Sequence, residues 1–154
     1  MTARAPLVIT AVGREAAALL AELRSAAGVE PGWPAEEVAA LLVLPSVGAL
    51  LARRGAEPLG YVLYALAAGE AEIYDIAVSL ACRRMGVGGE LLDAAIEALG
   101  AAQAEQLHLE VAVDNDPAIA LYEQRGFVVN GRRRGYYQRA EGQAVDALVM
   151  TRSF

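Results

Sequence analysis

Between Gln106 and Val113 apolar and polar residues alternate strictly. Leu107, Leu109, Val111 and Val113 share one face, and His108, Glu110 and Ala112 share the other. A period of two predicts a strand covered on one side. After Gly89 the period changes. Leu91, Leu92, Ala95, Ile96 and Leu99 fall on one stripe with a repeat near 3.6, while Glu90, Asp93 and Glu97 lie off it. That spacing predicts an amphipathic helix. A strand over Glu72 to Val78, ending in Ile76-Ala77-Val78, leads through a short connection into the glycine-rich turn where this helix begins.

The remaining elements follow from similar signals. Leu7 to Ala11 reads as a first strand, and Arg14 to Ala27 as a helix rich in alanine and leucine, closed by Gly28. Glu30 to Pro34 reads as a turn, and Ala35 to Leu44 as a second helix that cannot continue through Pro45. Val47 to Arg53 and Leu59 to Ala67 are apolar strands around a hairpin segment, Arg54 to Pro58. Asp116 is the expected cap of a short helix, with Pro117 at its first position and Gly126 past its end. Phe127 to Arg134 and Val145 to Arg152 form a last strand pair. Strands ahead of helices, a central strand-turn-helix unit and a terminal hairpin describe an α/β or α+β domain. Its mixed sheet would hold about six to seven strands, flanked by about four helices.

Composition narrows the function classes. A chain of 154 residues, 56% hydrophobic and 21% charged, suits one folded domain over residues 1–154. A net charge of −6 argues against general nucleic-acid binding, which needs a basic face. One cysteine excludes an intramolecular disulfide, and no Cys/His cluster suggests a metal, so none is expected. Cys82 reads as a packing residue, and His108 as packed or exposed. The start lacks the apolar core of a signal peptide and no apolar run reaches about 18 residues, so a cytoplasmic protein without membrane contact is expected. The oligomeric state stays open.

Chemistry concentrates in two stretches. In Arg83-Arg84-Met85-Gly86-Val87-Gly88-Gly89, glycines stand where a helix begins. The first N–H groups of a helix lack intrahelical partners and carry partial positive charge, and a turn without Cβ atoms lets a phosphate reach them. Arg83 and Arg84 add full charge. This is an anion site suited to a pyrophosphate. It has no Gly-Lys-Ser/Thr for a nucleotide-hydrolysing loop, and Leu91 occupies the third glycine position of a dinucleotide fingerprint. The second stretch, Asn115-x-x-Ala118-x-x-Leu121-Tyr122-x-x-x-Gly126-Phe127, follows the alternating strand.

The two motifs together resemble the GNAT acyltransferase superfamily, whose Gln/Arg-x-x-Gly-x-Gly/Ala loop holds the pyrophosphate of acetyl-CoA. Glu70-Ala71-x-Ile73-Tyr74-x-Ile76-Ala77-Val78, Leu109-Glu110-Val111 and Arg133-Arg134-x-Tyr136-Tyr137 are similar to the ribosomal-protein-alanine N-acetyltransferases. Gly32-Trp33-Pro34 is similar to that family's Phe-Pro-Trp-Ser segment, in a different order. The resemblance is tight from about Glu70 to Tyr137.

What the resemblance implies is specific. The fold would be a GNAT fold, splayed where the Ile76–Val78 strand meets the Leu107–Val113 strand. Acetyl-CoA would contact Ile76, Ala77, Val78, Arg84, Met85, Gly86, Val87, Gly88, Gly89 and Asn115. Glu110 would be general base and Tyr122 general acid, while Trp33, Tyr136 and Tyr137 would wall the substrate cleft. The acceptor would be a protein N-terminal α-amine, most specifically the N-terminal alanine of a small-subunit ribosomal protein. A different amine acceptor and a non-catalytic acyl-CoA-binding domain are the alternatives. Retention of both Glu110 and Tyr122 argues against the latter.

Overall fold

The structure is a computed structural model and describes residues 4–29, 31–139 and 141–154. Glu30, at the start of the expected Glu30–Pro34 turn, lies outside the described residues. Among the described residues seven strands form one sheet: β1 (Leu7–Val12), β2 (Val47–Arg54), β3 (Glu57–Ala67), β4 (Glu70–Val78), β5 (Gln106–Ala112), β6 (Val128–Gln138) and β7 (Ala144–Ser153). Four α-helices join them: α1 (Ala17–Ala26), α2 (Ala35–Leu42), α3 (Val87–Ala101) and α4 (Asp116–Glu123). The strand order is β1-β2-β3-β4-β5-β7-β6, so the mixed sheet expected from the sequence is present. Every neighbouring pair is antiparallel except β4 with β5.

The apolar faces sort into two cores. Leu91, Leu92, Ala95 and Leu99 of α3 pack on Leu107, Leu109 and Val111, as the two periodicities require. On the opposite face Leu20 and Leu23 of α1 and Val38 of α2 cover Leu51, Tyr61, Leu63 and Ala77. The α1 layer thus covers the first half of the sheet, whereas the polar face of β5 carries His108 and Glu110, both only half-buried.

Several boundaries differ from expectation, each for a local reason. Arg14–Ala16 is a 3₁₀ turn ahead of α1, which then closes at Gly28 with φ +74°. Helix α2 stops at Leu42, and the Leu44 N–H turns back onto the Leu41 carbonyl before Pro45. The β2–β3 turn is Gly55-Ala56 alone, because Gly55 adopts φ +61° and lets Glu57 and Pro58 rejoin the sheet. Asn115, not Asp116, caps α4: its Oδ1 accepts the Ala118 N–H at 3.3 Å. Val113 falls just past β5, and β6 continues beyond Arg134 through Tyr136 and Tyr137.

Gly60 marks where β3 and β4 are pressed together. A Cβ there would sit 2.5 Å from the Ala77 carbonyl oxygen, which is backbone and cannot yield. Gly60→Ala should therefore destabilise the fold by about 1–3 kcal/mol, the usual cost of overpacking. Denaturant unfolding checks this, with the midpoint falling while the slope stays unchanged.

Candidate active site

Parallel β4 and β5 are in register only at Glu70–Gln106, Ala71–Leu107 and Glu72–His108. Beyond those pairs the strands part. On β4 the parting coincides with a bulge: Tyr64 opposes Ile73 and Leu63 opposes Asp75, so Tyr74 is the extra residue. A bulge bends its strand and re-aims the side chains that follow. Asp75 thereby turns to the α1 face, where it meets Arg24 of α1 and Tyr61 of β3. A cleft of about 290 Å³ occupies the wedge, and Asp75, Ile76, Glu110, Asn115, Tyr122 and Tyr137 are among its lining residues.

Glu110 projects from the polar face of β5. Its Oε1 accepts from Arg133 Nη1 at 2.7 Å, and Oε2 accepts no bond from the described residues. The Arg133 guanidinium in turn stacks 4.0 Å from the centre of the Tyr136 ring, which meets Tyr137 edge-on at 5.0 Å. Tyr137 reaches the cleft; Tyr136 stays exposed above Arg133. Trp33 is not on the cleft lining. Its ring lies 5.5 Å from the Arg24 guanidinium, so it connects to the site through that arginine.

Tyr122 sits on the last turn of α4, its ring 5.8 Å from Phe127. Burial pushes its hydroxyl up to about 12, helped by Tyr137 and the charge of Asp75. Tyr137 is likewise pushed up to about 12, by burial first and then by Glu110. Both phenols therefore stay protonated at neutral pH. In that state they donate and do not act as bases.

The glycine turn follows β4, whose last residue, Val78, lies beside Gly88. Gly86, at φ +79°, is the N-cap of α3, and the first intrahelical bond runs from the Glu90 N–H to the Gly86 carbonyl. The N–H groups of Val87, Gly88 and Gly89 precede that bond and have no helical acceptor. A Cβ on Gly86 would meet nothing within 4 Å, and one on Gly88 only Val78 and Leu121 at ordinary contact distance. The missing Cβ atoms leave room for a ligand rather than for protein. Gly89 is different, since a Cβ there would lie 2.5 Å from Arg125 Nη2. Val87 is buried in the core, so only its backbone faces the turn. Arg84 (φ +65°) and Met85 are exposed beside the turn. Arg83, also expected to serve the anion, is exposed and donates through Nη2 to the Ala27 carbonyl at 2.7 Å.

The sequence-predicted residues are thus brought together unevenly. Ile76, Glu110, Asn115, Tyr122 and Tyr137 share the cleft, and Val78 lies beside Gly88 at the mouth of the glycine turn. Ala77 is buried under α1. Cys82 is buried in the core, and His108 bonds Glu70 and Thr151 away from the wedge. Sequence reasoning missed Arg24 and Asp75. The available signal was a carboxylate inside the apolar run Ile73 to Val78, a position that burial ordinarily denies to an unpaired acid.

Comparison with known proteins decides the family. Residues 17–127 match the model of the acetyltransferase (GNAT) family. The chain belongs to that family. GNAT acetyltransferases use acetyl-CoA, which fits the bare N-terminus of α3. The chain is 36% identical over 153 residues to the N-alpha-acetyltransferase RimI of Mycobacterium tuberculosis, covering 96% of this chain and 92% of that protein. It is 42% identical over 81 residues to the [ribosomal protein bS18]-alanine N-acetyltransferase of Salmonella typhimurium, a match spanning 53% of this chain and 54% of that enzyme. The chain thus matches about half the length of such relatives. Among solved structures, the ribosomal-protein-S18-alanine N-acetyltransferase of Escherichia coli superimposes with a TM-score of 0.90. That likeness has 25% identity and covers 96% of this chain and 94% of the other.

The raised Tyr122 pKa has a consequence for stability. The folded state holds this proton to about 12, whereas an unfolded tyrosine releases it near 10. The contribution is complete below pH 10 and is lost as pH rises towards 12. Unfolding free energy should therefore fall steeply between pH 10 and 12. The slope should be shallower in Tyr122→Phe, as denaturant titration across that window would show.

Proposed function

We propose that residues 1–154 act as one catalytic domain that transfers the acetyl group of acetyl-CoA to a protein N-terminal α-amine. The observation that carries this reading is the convergence of Glu110 and Tyr122 on a cleft that opens where β4 and β5 part, beside the N-terminus of α3. The names of the relatives support the finer assignment of the acceptor, an N-terminal alanine of a ribosomal protein such as bS18; a cytoplasmic location is part of the same proposal. Acetyl-CoA supplies the acetyl thioester. The N–H groups of Val87, Gly88 and Gly89 and the Arg84 charge would hold its pyrophosphate, with Met85 and Gly86 forming the rim. The edge of β4 at Ile76–Val78 and the amide of Asn115 would flank the thioester arm.

The chain's own chemistry then follows. An α-amine has a pKa of about 7.7–8.0, so much of it is protonated at neutrality and must lose a proton before attack. Glu110 takes that proton, directly or through one water, on the carboxylate oxygen that Arg133 leaves free. Backbone N–H of β4 stabilises negative charge developing on the carbonyl oxygen. Tyr122, kept protonated by burial, donates to the departing sulfur.

Two experiments test this reading. Gly88→Val should weaken acetyl-CoA binding at least tenfold by calorimetry, because a branched side chain fills space that the structure leaves open. Unchanged affinity in the folded variant would put the pyrophosphate elsewhere. Glu110→Gln keeps the shape and removes the basicity. Its rate defect on a peptide with a free N-terminal alanine should be largest near pH 7 and shrink above about pH 8, where the amine deprotonates unaided. A pH-independent defect removes the base role from Glu110. As a control, robust acetylation of a lysine placed inside the same peptide, with its N-terminus blocked, would replace the N-terminal acceptor by a side-chain amine.

A further inference from the structure

The cleft contains a second carboxylate that the catalytic scheme leaves unused. Asp75 stands three residues beyond the last paired position of β4, and Glu110 two beyond its counterpart on β5, on the same sheet face. The Asp75 side chain is only 11% exposed, and that exposure lies on the cleft. Its Oδ2 takes both nearby donors, Arg24 Nη1 at 2.6 Å and the Tyr61 hydroxyl. Oδ1 accepts nothing from the described residues, and it is not among their buried unpartnered atoms. One oxygen is therefore anchored and the other opens on the cleft.

The anchoring is built for position. Tyr61 is fully buried, and Arg24 is held from three sides by Asp75, the Pro31 carbonyl at 3.3 Å and the Trp33 ring. Such supports fix a carboxylate's rotamer before any ligand arrives. The field of Asp75 also reaches the hydroxyls of Tyr122 and Tyr137, on two other walls of the wedge. A free carboxylate oxygen in a half-dry cleft is an acceptor without a donor, and a substrate ammonium supplies up to three N–H donors.

We infer that Asp75 is a substrate-binding residue whose Oδ1 receives the α-ammonium of the incoming N-terminus, positioning it for deprotonation by Glu110. This rests on the proposed acceptor being an α-amine. The two cleft carboxylates then divide the work. Asp75, held by Arg24 and Tyr61, binds the charged amine; Glu110, held only by Arg133, takes its proton. Recognition requires a charged primary amine at the end of the substrate, so the same peptide without its amino group should gain nothing from Asp75.

The test is equilibrium binding to the full chain in the presence of CoA, read from the fluorescence of Trp33, the sole tryptophan. The probes are tetra-alanine amide and its des-amino analogue, which differ only in the terminal ammonium. Wild type should bind the amine-bearing peptide at least tenfold more tightly. Asp75→Asn, which retains a side chain of the same size, should lose that preference while binding the des-amino peptide as wild type does. Equal weakening towards both peptides would assign Asp75 a merely structural role and overturn the inference. So would an undiminished preference in the variant, or no preference in wild type. Turnover of the tetra-alanine probe by wild type is scored separately. Its absence with the binding pattern intact counts against the transfer reading and leaves the ammonium site standing. Turnover with an unchanged KM in Asp75→Asn sinks the site and leaves the transfer reading standing.

Discussion

The parting of β4 from β5 is the constraint on which the rest of the molecule depends. Two parallel strands that stay in register satisfy one another's backbone groups and leave no room between them. Here pairing stops after Glu72 and His108, and the Tyr74 bulge turns β4 aside. The groups of Ile76 to Val78 that point away from β3 are left open at the edge of a deep wedge. An unpaired backbone group at such depth is costly unless water or a ligand meets it. The wedge therefore has the shape and backbone groups to take an extended, hydrogen-bonding chain, as the proposed binding of the acyl-carrying arm requires.

Charge is arranged around that wedge. The protein is net acidic, yet each carboxylate facing the wedge has an arginine on one oxygen only, Arg24 on Asp75 and Arg133 on Glu110. The two pairs differ in setting. Arg24 and Asp75 are nearly buried and share Tyr61, whereas Arg133 is half exposed on a strand near the sheet edge. Exposed pairs are weak and easily rearranged, and buried ones are rigid but costly to break. On the proposed scheme the carboxylate that picks up a proton has the first setting, and the one that holds the substrate has the second.

The sequence carried the site unequally. Periodicity located α3, β5 and the glycine turn because each is a local pattern whose burial the sheet later enforces. The two family motifs supplied Glu110 and Tyr122, which spacing alone leaves as a solvated acid and a packed ring. Arg24 and Asp75 are separated by 51 residues and meet only because a bulge rotates Asp75 towards α1. No local signal encodes a bulge of that kind. Arg83 shows a similar limit: its charge was legible, but the Ala27 carbonyl it binds became a neighbour only in the fold. The cap of α4 was one residue out because Asn115 and Asp116 are both good caps, and the chain's exit from β5 decides between them.

Gly89 links these observations. In sequence it belongs to the anion-binding turn, but its missing Cβ accommodates Arg125, which follows α4. Arg125 donates to Asp93 of α3 at 2.8 Å and to the Leu121 carbonyl of α4 at 3.2 Å. It thus ties α3, at whose N-terminus the pyrophosphate is proposed to bind, to the helix that carries Tyr122. The missing Cβ of the third glycine leaves room for this guanidinium, which spans α3 and the end of α4. The phenol and the helix start are then positioned by the same contact. A shift of α4 would disturb both together, a coupling that suits the transfer proposed above.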